Sequence, residues 1–242
     1  ESHLAPSAPR QVNTATQLVI GDGAEVIHIK IVASREGSIH LGRTVAHLGK
    51  EAAYRPFTFI SGDGVVRNDI AITFRGRHAT FDLGAAKLVS RQGHADTTLV
   101  VDHAVPNCTS RELVKSVLAD KARAVFQGKV IVRPDAQKTD GKQMAQALML
   151  SPDAEFDSKP ELEIYADDVV CGHGSTSAEI DPELVFYLRS RGIPLEEAQA
   201  ILVERCIRGG HRAPASSACW AFFARPTARR AIAHRWTSDG PS

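Results

Sequence analysis

The chain has 242 residues, 43% of them hydrophobic, with 29 Lys and Arg against 28 Asp and Glu and a formal net charge of +1. That is enough apolar material for one large cored domain, or one domain with a small appendage, and too much for a disordered chain. The charge balance gives no footing for nucleic acid or a membrane surface, and aromatic residues, at 6%, are few for stacking sugars or bases.

The four cysteines, Cys108, Cys171, Cys206 and Cys219, form no Cys-x-x-Cys pair. So few, so irregularly spaced, they do not read as a disulfide framework, and reduced thiols in a cytoplasmic compartment are expected. No apolar run approaches the roughly 18 residues of a membrane span. The opening "ESHLAPSAPRQVN" lacks a charged-then-apolar leader pattern. It begins without Met, as expected of a processed chain or a piece of something longer.

From about residue 17 to 173 the chain reads as many short strands. "LVIGDGAEVIHIKIV" places two apolar runs around Gly21-Asp22-Gly23, and "FTFISGDGVVRNDIAITF" repeats the device at Gly62-Asp63-Gly64. "HATFDLG", "AKLVS", "TTLVVDH", "ARAVFQGKVIVRP" and "ELEIYADDVVC" follow. Period-2 apolar spacing with Gly and Asp at the breaks is the strand signal. "TSRELVKSVLADKA" (109–122) is open to a short helix or a strand, with Val114 and Val117 favouring the strand. The polar stretch "RPDAQKTDGKQ" (133–143) is expected to be a loop or coil corner. About a dozen strands without intervening helices fit a sandwich, a barrel or a stacked solenoid, and periodicity does not choose among them.

The pattern then changes. "IDPELVFYLRSRG" predicts a helix with Asp181 as N-cap, Pro182 at N1, Glu183 complementing the dipole and Gly192 at its end. A second helix opens at Pro194, with Leu195, Ala198, Ile201 and Leu202 on one face. Residues 207–242 hold six Arg, no Lys, one acid and both tryptophans, Trp220 and Trp236. A basic arm for nucleic acid is one reading of this stretch; a tail without its own function is the plainer one. Its bias is also what a shifted reading frame in GC-rich DNA produces.

Cys171 and His173 stand two residues apart. On a strand they share a face roughly 6.5–7 Å apart, too far for a nucleophile–base hydrogen bond but suited to converging on one metal. Thiolate and imidazole suit zinc or iron, and two ligands leave such a site to be completed from elsewhere. The plainer alternative is a buried Cys beside a surface His. Asp167 and Asp168, adjacent, face opposite ways on a strand and make a poor acid–base pair, so each reads as a solvated or turn-capping acid. "HADTTLVVDHAVPNC" gathers His94, Asp96, Asp102, His103 and Cys108, which can ligate metal but read more simply as structural. "LGKEA", "QGKVI" and "DGKQM" lack the rest of a phosphate loop, so ATP hydrolysis by this chain is not expected.

Two long stretches carry a resemblance: residues 103–143, "HAVPNCTSRELVKSVLADKARAVFQGKVIVRPDAQKTDGKQ", and residues 159–202, which include "LEIYADDVVCGHG" and "FYLRSRGIP". They resemble the SufB/SufD family of the SUF iron–sulfur cluster assembly system, in its SufD-like form, strongly over about residues 95–205 and more weakly back to about residue 15. The resemblance implies a mainly β fold, a right-handed parallel β-helix over 15–175 and then a C-terminal helical segment over 176–206; it ends near Arg205, and residues 207–242 are expected to be an atypical basic tail, loosely ordered. It implies a non-catalytic scaffold subunit that pairs through its β-helix with a SufB-like paralogue. A SufC-like ATPase would sit on the C-terminal helices and hydrolyse the ATP. A homodimer is the alternative pairing.

The family's interface histidine falls on His173, with Cys171 beside it, so these two would bind a transient iron–sulfur cluster or iron shared with the partner. The chain departs from the SufD-like pattern in three places. An N-terminal helical region is missing, Gly172-His173-Gly174-Ser175 stands where Ser-His-Gly-Ala is usual, and an acidic last helix is replaced by the basic tail. The rival readings are a β-helix polysaccharide-degrading enzyme, for which secretion signal, carboxylate constellation and aromatic platforms are lacking, and a structural homo-oligomer without a metal role.

Overall fold

The computed structural model describes residues 1–4 and 8–208. After a two-residue β1 (Ser2–His3), twelve strands of ten residues follow in chain order. They are β2 (Gln11–Ile20), β3 (Glu25–Ser34), β4 (Ile39–Leu48), β5 (Ala53–Gly62), β6 (Val65–Phe74) and β7 (Thr80–Val89), then β8 (His94–His103), β9 (Thr109–Leu118), β10 (Arg123–Val132), β11 (Asp140–Met149), β12 (Glu155–Ile164) and β13 (Val170–Glu179). Two helices close the described chain, α1 (Pro182–Ser190) and α2 (Leu195–Arg208).

All odd-numbered strands form one sheet in the order β1-β3-β5-β7-β9-β11-β13, and all even-numbered strands a second, β2 to β12. Every pairing is parallel. The chain therefore alternates between two sheets, one strand of each per coil, and stacks about six coils of a β-solenoid. Of the three architectures the strand pattern allowed, this is the one the resemblance implied.

In-register stacking makes columns of like-placed side chains. On the inner face Tyr54 lies beside Phe81 in the ladder, and both are buried with Leu48, Phe74, Leu99, Val114, Phe126 and Val130 in the main core. The outer face of the even sheet is charged and laced with cross-strand pairs: Arg123 with Asp157, Lys129 with Glu163, Arg133 with Asp102 and Arg67 with Asp96. The outer face of the odd sheet carries an apolar patch. Phe57, Phe59, Ala86, Leu88, Val117 and Leu148 cluster there with Val203 and Ile207 of α2. The Lys115 ammonium donates to the Cys206 carbonyl at 2.6 Å, satisfying an end group of that helix and complementing its dipole.

The corners repeat one device. Gly23, Glu51, His78, Asn107 and Lys138 all have positive φ at the even-to-odd corner. The backbone N–H of Gly23, Glu51, Asn107 and Lys138 each donates to a carbonyl one coil further on, at Lys50, Arg77, Gln137 and Asp168. A left-handed residue turns the chain while its amide joins the next coil, so the corner loses no backbone hydrogen bond.

Several expectations need correction. The segment 133–143 is not wholly a corner, because Asp140–Gln143 already belong to β11. The stretches 39–48 and 140–149 are full strands that the apolar pattern did not reveal. Their inward residues include His40, Gly42 and Thr44 in one and Gly141, Gln143 and Ala145 in the other, so neighbouring rungs rather than their own hydrophobicity hold them. "HATFDLG" and "AKLVS" are one strand, β7. The segment 109–122 is a strand for its first ten residues.

The helices follow their signals. Asp181 accepts the Glu183 N–H at 2.8 Å and Gly192 turns with φ +83°. The buried face of α2, however, is Ala198, Val203 and Ile207, whereas Leu195 and Ile201 are exposed. The helix docks through its C-terminal half on the odd sheet, which selects a face rotated from the one its own periodicity suggested. No helix among the described residues is long and apolar enough to cross a membrane. Cys219, Trp220, Trp236 and the rest of the basic stretch beyond Arg208 lie outside the described residues.

Backbone conformation at the corners makes two substitutions diagnostic. Glu51→Gly relieves a left-handed side-chain residue at the cost of a more flexible unfolded chain. It is expected to leave stability within about 1 kcal/mol of the parent, on the stabilising side, in urea unfolding. Gly62 sits at φ +116°, and an added Cβ would lie 1.9 Å from the Ser34 carbonyl oxygen. Gly62→Ala is expected to cost about 3 kcal/mol in the same measurement.

Candidate functional site

β13 is the last strand of the odd sheet and pairs with β11 alone; β12 is likewise the outermost strand of the even sheet. The final coil therefore leaves two open strand edges at the same end of the solenoid. Cys171 pairs with Gly141 and His173 with Gln143. Since Gly141 and Gln143 are buried in the inward row, Cys171 and His173 continue that row. With no further coil among the described residues stacked on them, these inward-facing positions are uncovered: Cys171 is half-buried, and His173, Ser175 and Ser177 are exposed. The shared face expected from their spacing is present, and the end of the stack is what exposes it.

The thiol is packed at the edge of the main core. Burial pushes the Cys171 thiol above its ordinary value, the Gly141 backbone opposes this, and Asp140 and Glu112 add to the rise. At neutral pH the thiol keeps its proton until a cation or a partner's positive charge draws it off. Near it on the outer surface Arg111 pairs with Asp140 and also donates to the Asp140 carbonyl at 2.9 Å.

Behind these residues lies a polar interior that spacing did not suggest. Glu112 pairs with Gln143, which pairs with His173, in one unbroken inward row. Glu112 and Gln143 are each only 2% exposed. Burial pushes the Glu112 carboxyl up to about 8, against the pull of Ser110 and Arg111, so it is neutral at pH 7. The Ser110 hydroxyl lies near enough to oppose that rise but is engaged with His103 Nε2 at 3.1 Å, and neither Glu112 oxygen reaches full hydrogen-bond geometry with a partner among the described residues. Burial also drives His103 down to about 4. One coil nearer the N-terminus, Lys87 is buried, donates to the Val125 and Ala95 carbonyls, and is driven by burial down to about 7. The sequence signal for this row was available only as a polar residue at an inward parity, which becomes visible once the register is known.

The other candidates disperse. Asp96 and Asp102 sit on the outer face of the even sheet in ion pairs with Arg67 and Arg133. His103 points inward, stacked on Phe74 with ring centroids 4.4 Å apart, and the Cys108 thiol donates to the Gly76 carbonyl at 3.4 Å in a corner. With His94 at the start of β8, the five do not converge. Among the described residues no group of three or more His, Cys, Asp or Glu is placed to hold a metal ion. Asp167 and Asp168 are not on a strand at all but in the bend between β12 and β13. There the Asp168 carbonyl accepts the Lys138 N–H at 2.6 Å, its N–H donates to Gln137 Oε1 at 2.9 Å, and its carboxylate pairs with Lys138. The parallel ladder of β13 begins only at Val170, which leaves the two acids to cap the corner.

A third surface is α1. It buries none of its residues; Leu184, Phe186 and Tyr187 are exposed, Phe186 by 74%, and Arg191 lies over the Tyr187 ring at 4.4 Å.

Residues 1–205 match the family described as SUF system FeS cluster assembly, SufBD core domain. The chain is 36% identical over 184 residues to the iron–sulfur cluster assembly protein SufD of Escherichia coli, covering 76% of this chain and 44% of that protein. It is 32% identical over 194 residues to an iron–sulfur cluster assembly SufBD family protein of Synechocystis, covering 79% and 42%. A SufBD family protein of Mycobacterium tuberculosis is 33% identical over 195 residues, covering 77% and 49%. The chain spans about half the length of these curated relatives.

The buried carboxyl gives a pH test. Glu112 has a folded value raised above its unfolded one, so the folded state holds the extra proton and stability attributable to Glu112 falls as pH rises between about 4.5 and 8. Glu112→Gln removes that dependence. The stability difference in favour of the variant is expected to grow by about 2–4 kcal/mol between pH 4.5 and 8, read by urea unfolding at each pH.

Proposed function

The chain belongs to the SufBD core family of the SUF iron–sulfur cluster assembly system as a SufD-type member, and from that premise we propose that it is a non-catalytic scaffold subunit of cluster assembly. The observation that carries this reading is the uncovered end of the solenoid, where inward-facing Cys171 and His173 lie beside two open strand edges. Two ligands cannot enclose an iron or a cluster. A SufB-like paralogue that adds its own strands to β12 and β13 satisfies the open edges and brings the missing ligands to the same place. The cluster is cargo, held at the seam and passed on. The compartment proposed for this assembly is the cytoplasm, where thiols stay reduced.

The uncovered apolar face of α1 supports the second partner, a SufC-like ATPase, which would supply the hydrolysis for which this chain has no phosphate loop. Phe186 and Tyr187, with Leu184 further round the helix, expose apolar area of the kind that dominates docking energetics.

The test is co-expression of the tagged chain with SufB-like and SufC-like proteins, with the eluted complex weighed by light scattering and its iron and acid-labile sulfide counted. The parent chain is expected to recover both partners. His173→Ala is expected to leave the mass unchanged and cut iron and sulfide about tenfold or more, whereas full loading in that variant would rule out its role at the cluster. Phe186→Asp is expected to lose the ATPase while retaining the SufB-like subunit; a complex that keeps all three chains would exclude α1 as the docking face.

A further inference from the structure

Two buried side chains directly behind His173 have polar atoms without a full hydrogen bond among the described residues. Both ends of the Gln143 amide, Oε1 and Nε2, lack a hydrogen-bond partner, as do both oxygens of Glu112. An interior normally satisfies such groups, and each one left over costs on the order of 1–3 kcal/mol. These four atoms belong to consecutive rungs of one row, Glu112–Gln143–His173. Rungs of a parallel sheet stand about 4.8 Å apart and side chains of the same face lie alongside one another, so the Gln143 side chain stands between those of Glu112 and His173.

Gly128 makes the space. It faces the interior from the middle of β10, and a Cβ there would fall 2.2 Å from Gln143 Nε2. Glycine inside a strand weakens it and often marks a close approach of another group; here the approaching group is this amide. Filling the position with any larger residue would push the amide away.

The donor and acceptor inventory then fits one arrangement. An imidazole that ligates through one nitrogen carries its proton on the other, and that N–H needs an acceptor to fix tautomer and ring orientation. A Gln amide offers an oxygen to accept it and an NH2 group to donate to a carboxyl oxygen. We propose that Gln143 is a positioning residue for His173: its amide oxygen accepts the imidazole N–H that the ligating nitrogen does not use, and its NH2 group donates to Glu112 behind it. In this structure the amide rests over Gly128; the proposed arrangement requires its terminal torsions to turn it from there onto the row. Glu112 anchors the amide, and the half-exposed end of the solenoid gains a histidine of defined tautomer before any cluster or partner arrives.

The inference rests on the reading of His173 as a ligand, but its readout does not need one. The full chain, labelled with 15N-histidine, is observed ligand-free by long-range proton–nitrogen correlation, with His173→Ala assigning the signal. In the parent one tautomer of His173 is expected to dominate. Gln143→Leu and Gln143→Met, both apolar and close in volume, are expected to reduce that preference about threefold or more, the weight of one net hydrogen bond. Their thermal transitions should be no lower than the parent's, because an unsatisfied amide has been removed. Gln143→Glu, which keeps an acceptor, is expected to restore the preference. Identical tautomer ratios in the parent and in the folded apolar variants would overturn the proposal. A locked tautomer that relaxes in those variants, in a chain whose His173→Ala complex still loads clusters fully, would uphold the positioning and remove the ligand role instead.

Discussion

Everything in this molecule depends on parallel strands stacked in register. A parallel ladder satisfies the backbone only if each coil lies directly against the next, and the stack then forces like positions into columns. A column of aromatic and aliphatic residues becomes a core, as around Tyr54 and Phe81. A polar residue in a column has only its neighbours in the row, or the facing sheet, to bond with. Lys87 finds the carbonyls of Ala95 and Val125; Glu112 and Gln143 find nothing comparable. The difference separates a structural polar group from one whose partner lies along the row.

The same constraint makes the ends special. Inside the stack an inward residue is covered by the coil above and the coil below. At β13 one cover is missing, and an inward thiol and imidazole become accessible without any loop being built for them. The edge that exposes them also presents unpaired backbone groups, which are costly alone and favourable once another strand is added. The side chains and the strand edges are thereby exposed at one location, which follows from the geometry of a terminating solenoid.

The two outer faces divide other duties. Ion pairs across the even sheet, such as Arg123 with Asp157 and Lys129 with Glu163, are exposed and individually worth little. They keep that face charged and hydrated. The odd sheet carries an apolar patch on its outer face, and α2 lies on it through Val203 and Ile207. That docking fixes which side of α2 is buried and leaves α1, set between its Asp181 cap and the turn at Gly192 and touching α2, projecting its apolar residues.

Local signals carried much of this. Alternating apolar residues and Gly-Asp breaks marked most strands, and Asp181, Pro182 and Gly192 marked α1 to the residue, because caps and turns are decided by the chain's own neighbours. Long motifs around Cys171 and His173 identified the family and singled out those two residues. The strands at 39–48 and 140–149 were hidden because most of their inward residues, His40, Gly42 and Thr44 in one and Gly141, Gln143 and Ala145 in the other, are small or polar, although Leu48 ends the first in the main core. The face of α2 was misassigned because the sheet it meets, not its own periodicity, selects it. The row Glu112–Gln143–His173 joins residues about thirty positions apart. Only the register of the ladder brings them side by side, since coil lengths that vary from one turn to the next erase any fixed spacing by which a sequence could announce them.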